Sequence, residues 1–403
     1  MRYLQSNSWT PDDPRFAEKP FGTGPFRLHS NPKSDGKGSA REMVFVNNPT
    51  YGRADRAGLP FLREVRFVEA NKVDTVKAFL EGKLHLLPDV PTAEIDRYQD
   101  AASGLKGKVD VVTAKVNRRV HILAVNLRRP YLQNKNLRQG LSYAINRDEI
   151  LRKEFRANKV DVHKAMTGPF PPGSWATSRG PGGESPLFSK DLALVRLKAY
   201  LAADPNAETT IKLAYSQNDP SADKACQEIK KQIEDLFKAD AGGGKKLTIQ
   251  LEKMPIERLL SAVQEQHASF DLAYVPFDYP DDWYPLALGA ALDPEASKQR
   301  NGRNWFGFRD DTTNPDAADQ QLGRDLAKLR GYRDFSGELV PQAIAVTKQF
   351  NESLPFIPLW QLDRHMVVSR KLKISLDETS ATGGADLLNQ TTLFQGVGRW
   401  RVD

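Results

Sequence analysis

The stretch FDYPDDWYP, Phe277 to Pro285, sets the carboxylates Asp278, Asp281 and Asp282 among aromatic rings. It follows the apolar run Phe270–Pro276, which reads as a buried strand. Three kinds of behaviour suit these residues. Two facing carboxylates could form a glycosidase-like acid pair, which needs them about 5–10 Å apart around one sugar; near neighbours in a Pro-rich turn rarely converge in that way. One buried carboxylate could grip a cation such as a ligand amine, with Tyr279 and Trp283 as apolar walls, since pockets combine such walls with few polar anchors. The acids could also form a solvated turn that caps the next helix. On residue chemistry alone all three stand.

Other chemistry is thinly represented. Six histidines (His29, His85, His121, His163, His267 and His365) show no pair at metal-ligand spacing, and HExxH is absent. No metal site and no cofactor are expected. Neither GxxxxGK[ST] nor GxSxG occurs. Cys226 is the only cysteine, so no intrachain disulfide forms. It reads as a small buried side chain on a helix.

The elements that must position these residues alternate between strand and helix patterns. REVRFVE (Arg63–Glu69) alternates apolar and charged residues as a strand does, and Val73–Leu80 has helical spacing that stops at Gly82. HLLPDVP gives a short strand ending at Pro88. RVHILAV (Arg119–Val125) is a near-continuous apolar strand, followed by helices around Leu137–Ile145 and from Arg147. GPFPPGSWA (Gly168–Ala176) suits neither helix nor central strand and reads as a surface crossing. Strands at Thr210–Ser216, Leu247–Met254 and Phe270–Val275 then alternate with helices at Leu192–Leu201, Asp219–Phe237 and Ile256–Gln266. Helices near Ala317–Leu329 and Glu338–Phe350 precede two returning strands, PFIPLWQ and HMVVS. This alternation predicts α/β layers with mixed sheets.

The 403 residues suggest two or three domains. With 39% hydrophobic and 27% charged residues, a globular protein with a substantial core is expected. No run of apolar residues is long enough to span a membrane, and MRYLQSNSWTPDDPRF lacks the apolar region of a signal peptide. The net charge is +7, but basic and acidic residues are interleaved, so nucleic acid is not an expected partner.

Five stretches add a resemblance: GTGPFRL (Gly22–Leu28), NNPTYG (Asn47–Gly52), Glu64–Pro91, ILAVNLRRPYLQNKNLRQGLSYAINRDEI (Ile122–Ile150) and FDLAYVPFDYPDD (Phe270–Asp282). In this order and spacing they resemble the dipeptide/oligopeptide-type extracellular solute-binding proteins of ABC importers, family 5. The fourth is the most specific, since RQGLSYAINR follows that family's R-Q-A-[LI]-x-x-A-I-[DN]-[RK] pattern. The resemblance covers nearly the whole chain. Because GTGP lies well inside such proteins, it also implies that their preceding portion has no counterpart here.

The resemblance implies an α/β, two-lobed periplasmic-binding-protein-like (type II) fold with mixed sheets and a hinge of two crossing segments. Lobe I is expected over 1–160, lobe II over 161–362, and a return to lobe I over 363–403. The crossings are expected near Asn158–Ser174 and Gln361–His365, with the ligand enclosed between lobes that close on it. In peptide-binding members an Asp at the place of Asp278 pairs with the ligand's α-amino group, and the peptide adds as a strand just before it. Pro276 departs from that pattern, because it has no N–H to offer. The expected ligand-binding residues are Asp278, Tyr279, Tyr274, Trp283, Asn126, Trp305 and Trp360, with Arg128 and Trp175 as weaker candidates. Core packing is an equal reading for the tryptophans. No catalytic residue is expected. The implied partners are a peptide or peptide-like small solute and ABC permease transmembrane subunits, with a monomer located in the periplasm or outside the cell. Two other classes stay in view: a hydrolase using the Asp278–Asp282 cluster, and a truncated or non-transport interaction protein of the same fold.

Overall fold

Period-two alternation and helix caps build the first elements as expected. The computed structural model describes residues 22–30, 42–49, 51, 58–113, 119–159, 162–177, 188–238, 244–266, 270–279, 284–293, 304–310, 316–329, 331, 334–374, 393–394 and 396–403. Strands β1 (Phe26–Ser30), β2 (Glu42–Asn47) and β3 (Glu64–Val68) form an antiparallel sheet in that order. The Asn48 side chain ties the preceding turn to β2 by donating to the Gly24 carbonyl at 2.9 Å. Helix α1 (Thr75–Leu80) starts where the Asp74 carboxylate accepts the Lys77 N–H at 3.2 Å. It is followed by Gly82 at φ 69°. Next come β4 (Leu86–Val90), α2 (Ile95–Gln99) and β5 (Val109–Thr113).

The central elements follow. They are β6 (Arg119–Val125), α3 (Lys135–Ala144), α4 (Arg147–Ile150), β7 (Lys164–Ala165), α5 (Lys190–Ala203), β8 (Thr210–Ser216) and α6 (Pro220–Lys238). They continue with β9 (Thr248–Met254), α7 (Ile256–Ser261), β10 (Leu272–Asp278), α8 (Tyr284–Leu292), α9 (Ala317–Leu329), α10 (Val340–Ser353) and β11 (Phe356–Gln361). Six strands make one mixed sheet in the order β7-β11-β6-β10-β8-β9. Strands β8, β9 and β10 run parallel, whereas β6 is antiparallel to both its neighbours. Helices on the sheet leave Val120, Ile122, Leu123, Ala124 and Val125 of β6 wholly buried, which is why this strand is a continuous apolar run. The chain ends with β12 (His365–Ser369), which inserts between β4 and β5, then β13 (Leu372–Lys373) paired with β14 (Arg401–Val402).

The chain divides into two compact units, Met1–Val116 with Arg364–Asp403, and Asn117–Asp363. The division falls at Val116 and Asp363 rather than at residues 160 and 362 as expected from sequence. Strand β6 and helix α3, assigned to lobe I from sequence, sit inside the second unit, because β6 is hydrogen-bonded between β10 and β11. The segment Gly168–Ala176 is neither a crossing nor a surface strap. Its Phe170 and Ala176 are buried in the second unit's core. Two smaller differences have local causes. Strand β4 runs through Pro88 because it is an edge strand whose pairing with β12 is irregular there. Strand β10 runs through Pro276 to Asp278. Among the described residues no helix is long and apolar enough to cross a membrane, and Cys226 is buried on α6.

Two buried guanidinium groups hold the second unit's helices to its sheet. Arg138 donates to the Ser353 carbonyl at the end of α10 from Nε at 3.0 Å and Nη2 at 2.7 Å. Its Nη1 reaches the carbonyls of Leu132 and Gln133 at 3.0 and 2.6 Å, and Asp319 on α9 lies 3.7 Å from Nη2. Arg147 donates from Nε to the Pro358 carbonyl of β11 at 2.7 Å, and from Nη1 to the carbonyls of Ser142 and Ile145, each at 3.1 Å. Burial pulls the Arg147 guanidinium down to about 9, which leaves it a cation at neutral pH. Between the two arginines, Gly140 permits close contact of α3 with α5, since a Cβ there would lie 2.6 Å from Leu197 Cγ.

Arg138→Ala removes the cation beside Asp319 and leaves the carbonyls of Ser353, Leu132 and Gln133 without this donor. The expected loss of stability is about 3–5 kcal/mol, read as a lower urea midpoint. An unchanged midpoint would show that water replaces the guanidinium.

Candidate functional site

The residue that opened the reading ends strand β10. Asp278 stands opposite Arg119 at the start of β6, and Gln361 at the end of β11 stands opposite Val120. The chain enters the second unit just before β6 and leaves it just after β11. Asp278, Arg119 and Gln361 therefore mark one end of the sheet, the end where both covalent passages lie. Only the backbone register of Asp278 is described; its side chain, like Trp283, Asp281 and Asp282, lies outside the described residues.

The exit at this end is pinned. Asp363 Oδ2 accepts the backbone N–H of His163 at 2.5 Å, and His163 Nδ1 accepts the Asp363 N–H at 2.8 Å. Nδ1 is thus the unprotonated nitrogen in this arrangement. His163 adopts φ 59°, a left-handed conformation held by this reciprocal pair.

The backbone phase of β10 follows from one bond. Asn126 N–H donates to the Asp271 carbonyl at 2.9 Å, so Asp271 faces β6. Alternation then turns Ala273, Val275 and Phe277 toward β6, and Tyr274, Pro276 and Asp278 away from it. On that other side, pairing with β8 is confined to Leu272 and Ala273. Pro276 is tolerated in a central strand because its missing N–H falls where no ladder partner is present among the described residues.

Four of the expected ligand-binding residues, Tyr279, Tyr274, Trp360 and Asn126, make internal contacts in the second unit. Tyr279 is 1% exposed. Its hydroxyl donates to the Pro169 carbonyl at 2.5 Å, and its ring meets Phe277 edge-on at 4.7 Å. Burial pushes its phenol well above the ordinary range. On the opposite face Tyr274 stacks on His121 at 5.3 Å, and its hydroxyl accepts from Trp360 Nε1 at 3.2 Å. Trp360 is itself fully buried, 5.4 Å from Phe155. Asn126 lies at the other end of the sheet. Its side chain donates to the Phe270 carbonyl at 3.0 Å and accepts the Arg128 N–H at 3.3 Å. Its backbone partner Asp271 lies seven positions before Asp278, a span of about 20 Å at strand rise.

Arg128, the weaker candidate, holds the carbonyls of Asn304 and Trp305 at 2.7 and 3.1 Å. Its neighbours form a structural cluster around buried Asp271, whose Oδ2 accepts the Lys212 N–H at 2.9 Å. Burial first, and then the Asp271 carboxylate, push the Tyr131 phenol up. Trp175 packs against Phe335 with ring centroids 5.0 Å apart. Trp305 stays beside the candidate site: it is partly buried, and its ring lies 5.6 Å from Phe277, the residue before Asp278.

One residue at this end was missed. Gln361 is 7% exposed, and its Oε1 has no hydrogen-bond partner among the described residues. A buried acceptor without a donor costs about 1–3 kcal/mol, so a ligand N–H would be welcome there. The available signal was the single polar side chain closing the apolar strand FIPLWQ. Among the described residues no group of three His, Cys, Asp or Glu is placed to hold a metal.

Solved structures share this fold, a mixed sheet flanked by helices. The fold matches AppA from Bacillus subtilis in complex with a nonapeptide, with TM-score 0.67 and 14% identity, over 95% of this chain and 67% of that one. It matches NikZ from Campylobacter jejuni in complex with Ni(L-His), with TM-score 0.68 and 15% identity, over 100% and 72%. It matches DppA from Helicobacter pylori in complex with peptide STSA, with TM-score 0.68 and 16% identity, over 100% and 66%. A search of curated proteins found no match. The family model for bacterial extracellular solute-binding proteins, family 5 Middle, matches residues 4–291. The chain belongs to this family, a family of extracytoplasmic binding proteins that serve ABC importers rather than of enzymes.

If Tyr279 is a packing residue, Tyr279→Phe removes the hydrogen bond to the Pro169 carbonyl and keeps the ring in place. Stability should fall by about 1 kcal/mol, with solute affinity unchanged by calorimetry. A tenfold loss of affinity at unchanged stability would return Tyr279 to the binding surface.

Proposed function

We propose that this protein captures a peptide or peptide-like small solute at the Asp278 end of β10 and delivers it to the transmembrane subunits of an ABC permease. The observation that carries this reading is the open side of β10. From Tyr274 to Asp278 the strand keeps its partner β6 but, among the described residues, has no ladder to β8. The backbone phase points Tyr274, Pro276 and Asp278 to that side, so an extended ligand could add there as a strand. Pro276 withholds one donor, while Tyr274 and Asp278 retain theirs. A carboxylate at the end of the strip suits a ligand amine, and a desolvated, charge-assisted bond of that kind fixes ligand direction. Trp305 serves as an apolar wall, and the free acceptor of Gln361 as a second polar anchor. Two of the similar structures hold peptides, and the third a nickel–histidine complex. That range fits recognition of an amino-acid-like backbone. Trp283 remains a candidate wall on the sequence argument, and the protein acts as a monomer in this reading.

The test is a thermal-shift screen of short peptides, oligosaccharides and nickel chelates. A ligand at about 100 times its Kd stabilises the folded state by about 2.7 kcal/mol, enough to raise the melting midpoint visibly. With a peptide found in this way, Asp278→Ala should weaken binding by about 2–5 kcal/mol. N-acetylation of the peptide should produce a similar loss in the unsubstituted protein. Equal affinity for free and acetylated peptides would remove Asp278 as an amine anchor. A response confined to oligosaccharides would overturn the peptide reading.

A further inference from the structure

Strand β9 is the outer strand of the second unit's sheet, and no strand lies beyond it among the described residues. Its phase is fixed on both sides. The Thr248 N–H reaches the Thr209 carbonyl at 2.8 Å, and the Met254 carbonyl accepts the Gln217 N–H at 2.9 Å, so even-numbered residues face β8. Ile249 faces outward, where α6 supplies a substitute for a neighbouring strand. Lys230 Nζ donates to the Ile249 carbonyl at 2.7 Å, and Glu234 Oε1 accepts the Ile249 N–H at 3.0 Å. These two side chains, one turn apart and 3.3 Å from each other, close the edge at that single position. By the same alternation Leu251 and Lys253 also turn their backbone N–H and C=O outward, and no side chain closes those positions in the same way among the described residues. A groove of about 730 Å³ opens along this strip, lined by Gln227, Lys231, Lys238, Gln250, Leu251 and Lys253 among others.

We propose that this edge is a docking strip for an extended, acidic segment of a partner protein. The segment would add to β9 as a further strand at Leu251 and Lys253, with its carboxylates on the groove lysines. Added strands take affinity from main-chain hydrogen bonds and selectivity from alternate side chains. The groove carries four lysines and one glutamate. Lys253 is held by Asp223 at 2.9 Å and Lys238 by Asp235 at 2.7 Å. The Lys238–Asp235 pair is exposed and therefore weak, and Lys253 itself is exposed, so an incoming carboxylate can compete for both lysines. Lys231 is exposed on α6 and makes no ion pair among the described residues. This strip lies on the outermost strand, two strands removed from β10, and the proposal stands apart from the solute-binding reading.

The probe is a fluorescent peptide of alternating Glu and Val, acetylated and amidated so that it offers no amine to Asp278. The expected result is saturable binding to the full chain that weakens with salt. Two changes should each weaken it at least about tenfold: the double variant Lys231→Gln/Lys253→Gln, and N-methylation of alternate peptide amides with the protein unaltered. Leu251→Pro should abolish binding while preserving the β8 ladder, because the lost N–H points outward. The N-methylated peptide decides the matter even if that variant fails to fold. Equal binding of methylated and unmethylated peptides would overturn strand addition. So would affinity indifferent to the lysine substitutions, or no binding at low salt.

Discussion

Much of the second unit rests on how two arginines satisfy backbone carbonyls. A helix end leaves carbonyls without intrahelical donors, and burying them unpaired is costly. Arg138 collects the end of α10 and the turn before α3, while Arg147 collects the end of α3 and the middle of β11. Each planar guanidinium offers several donors in a fixed fork. Such a group can serve three carbonyls from two segments at once, and it fixes their mutual geometry in doing so. Strand β11 carries Pro358 and a register shift, and the Arg147 bond to the Pro358 carbonyl compensates for part of the ladder lost there.

That geometry positions the candidate site. With α3 tied to α10 by Arg138 and to β11 by Arg147, β6 is held between β10 and β11, and the ends of three strands line up. Asp278, Arg119 and Gln361 meet at one sheet end because the registers of β10 and β11 on β6 place them there. The His163–Asp363 pair fixes the chain as it leaves. The opposite end, with Asn126, Asp271 and Tyr131, is closed by internal hydrogen bonds. One end of the sheet is thus committed to structure, and among the described residues the other retains a strand side without a ladder and an acceptor without a donor.

The two edges of backbone exposed in this sheet differ in chemistry. Beside Asp278, the open side of β10 lies within the sheet and next to an acid, which suits a small amine-bearing ligand. On β9 the open side lies at the periphery among lysines, which suits an acidic strand. In both places alternation of the backbone, rather than any single side chain, decides which residues can offer hydrogen bonds. Pro276 is harmless to the fold for that reason and costly only to an added strand.

The sequence by itself determined the class of fold and most of its elements. Strands such as RVHILAV and TIKLAYS are legible because burial on two faces demands continuous apolar runs. Helix α6 is legible because its apolar spacing and Asp219 cap are local properties, and the cap indeed accepts the N–H groups of Ser221 and Ala222. The RQGLSYAINR segment carried the family because its arginines are bound by a fixed geometry. Only the tertiary structure decided which unit β6 joins, since that depends on registers with strands roughly 150 and 230 residues later in the chain. It also separated Asn126 from Asp278 and placed Tyr274, Tyr279 and Trp360 in the core. An aromatic residue has the same composition signal whether it faces a ligand or a neighbour. What tells them apart is the partner its polar atom finds, and those partners, Pro169 for Tyr279 and Tyr274 for Trp360, lie far away in sequence.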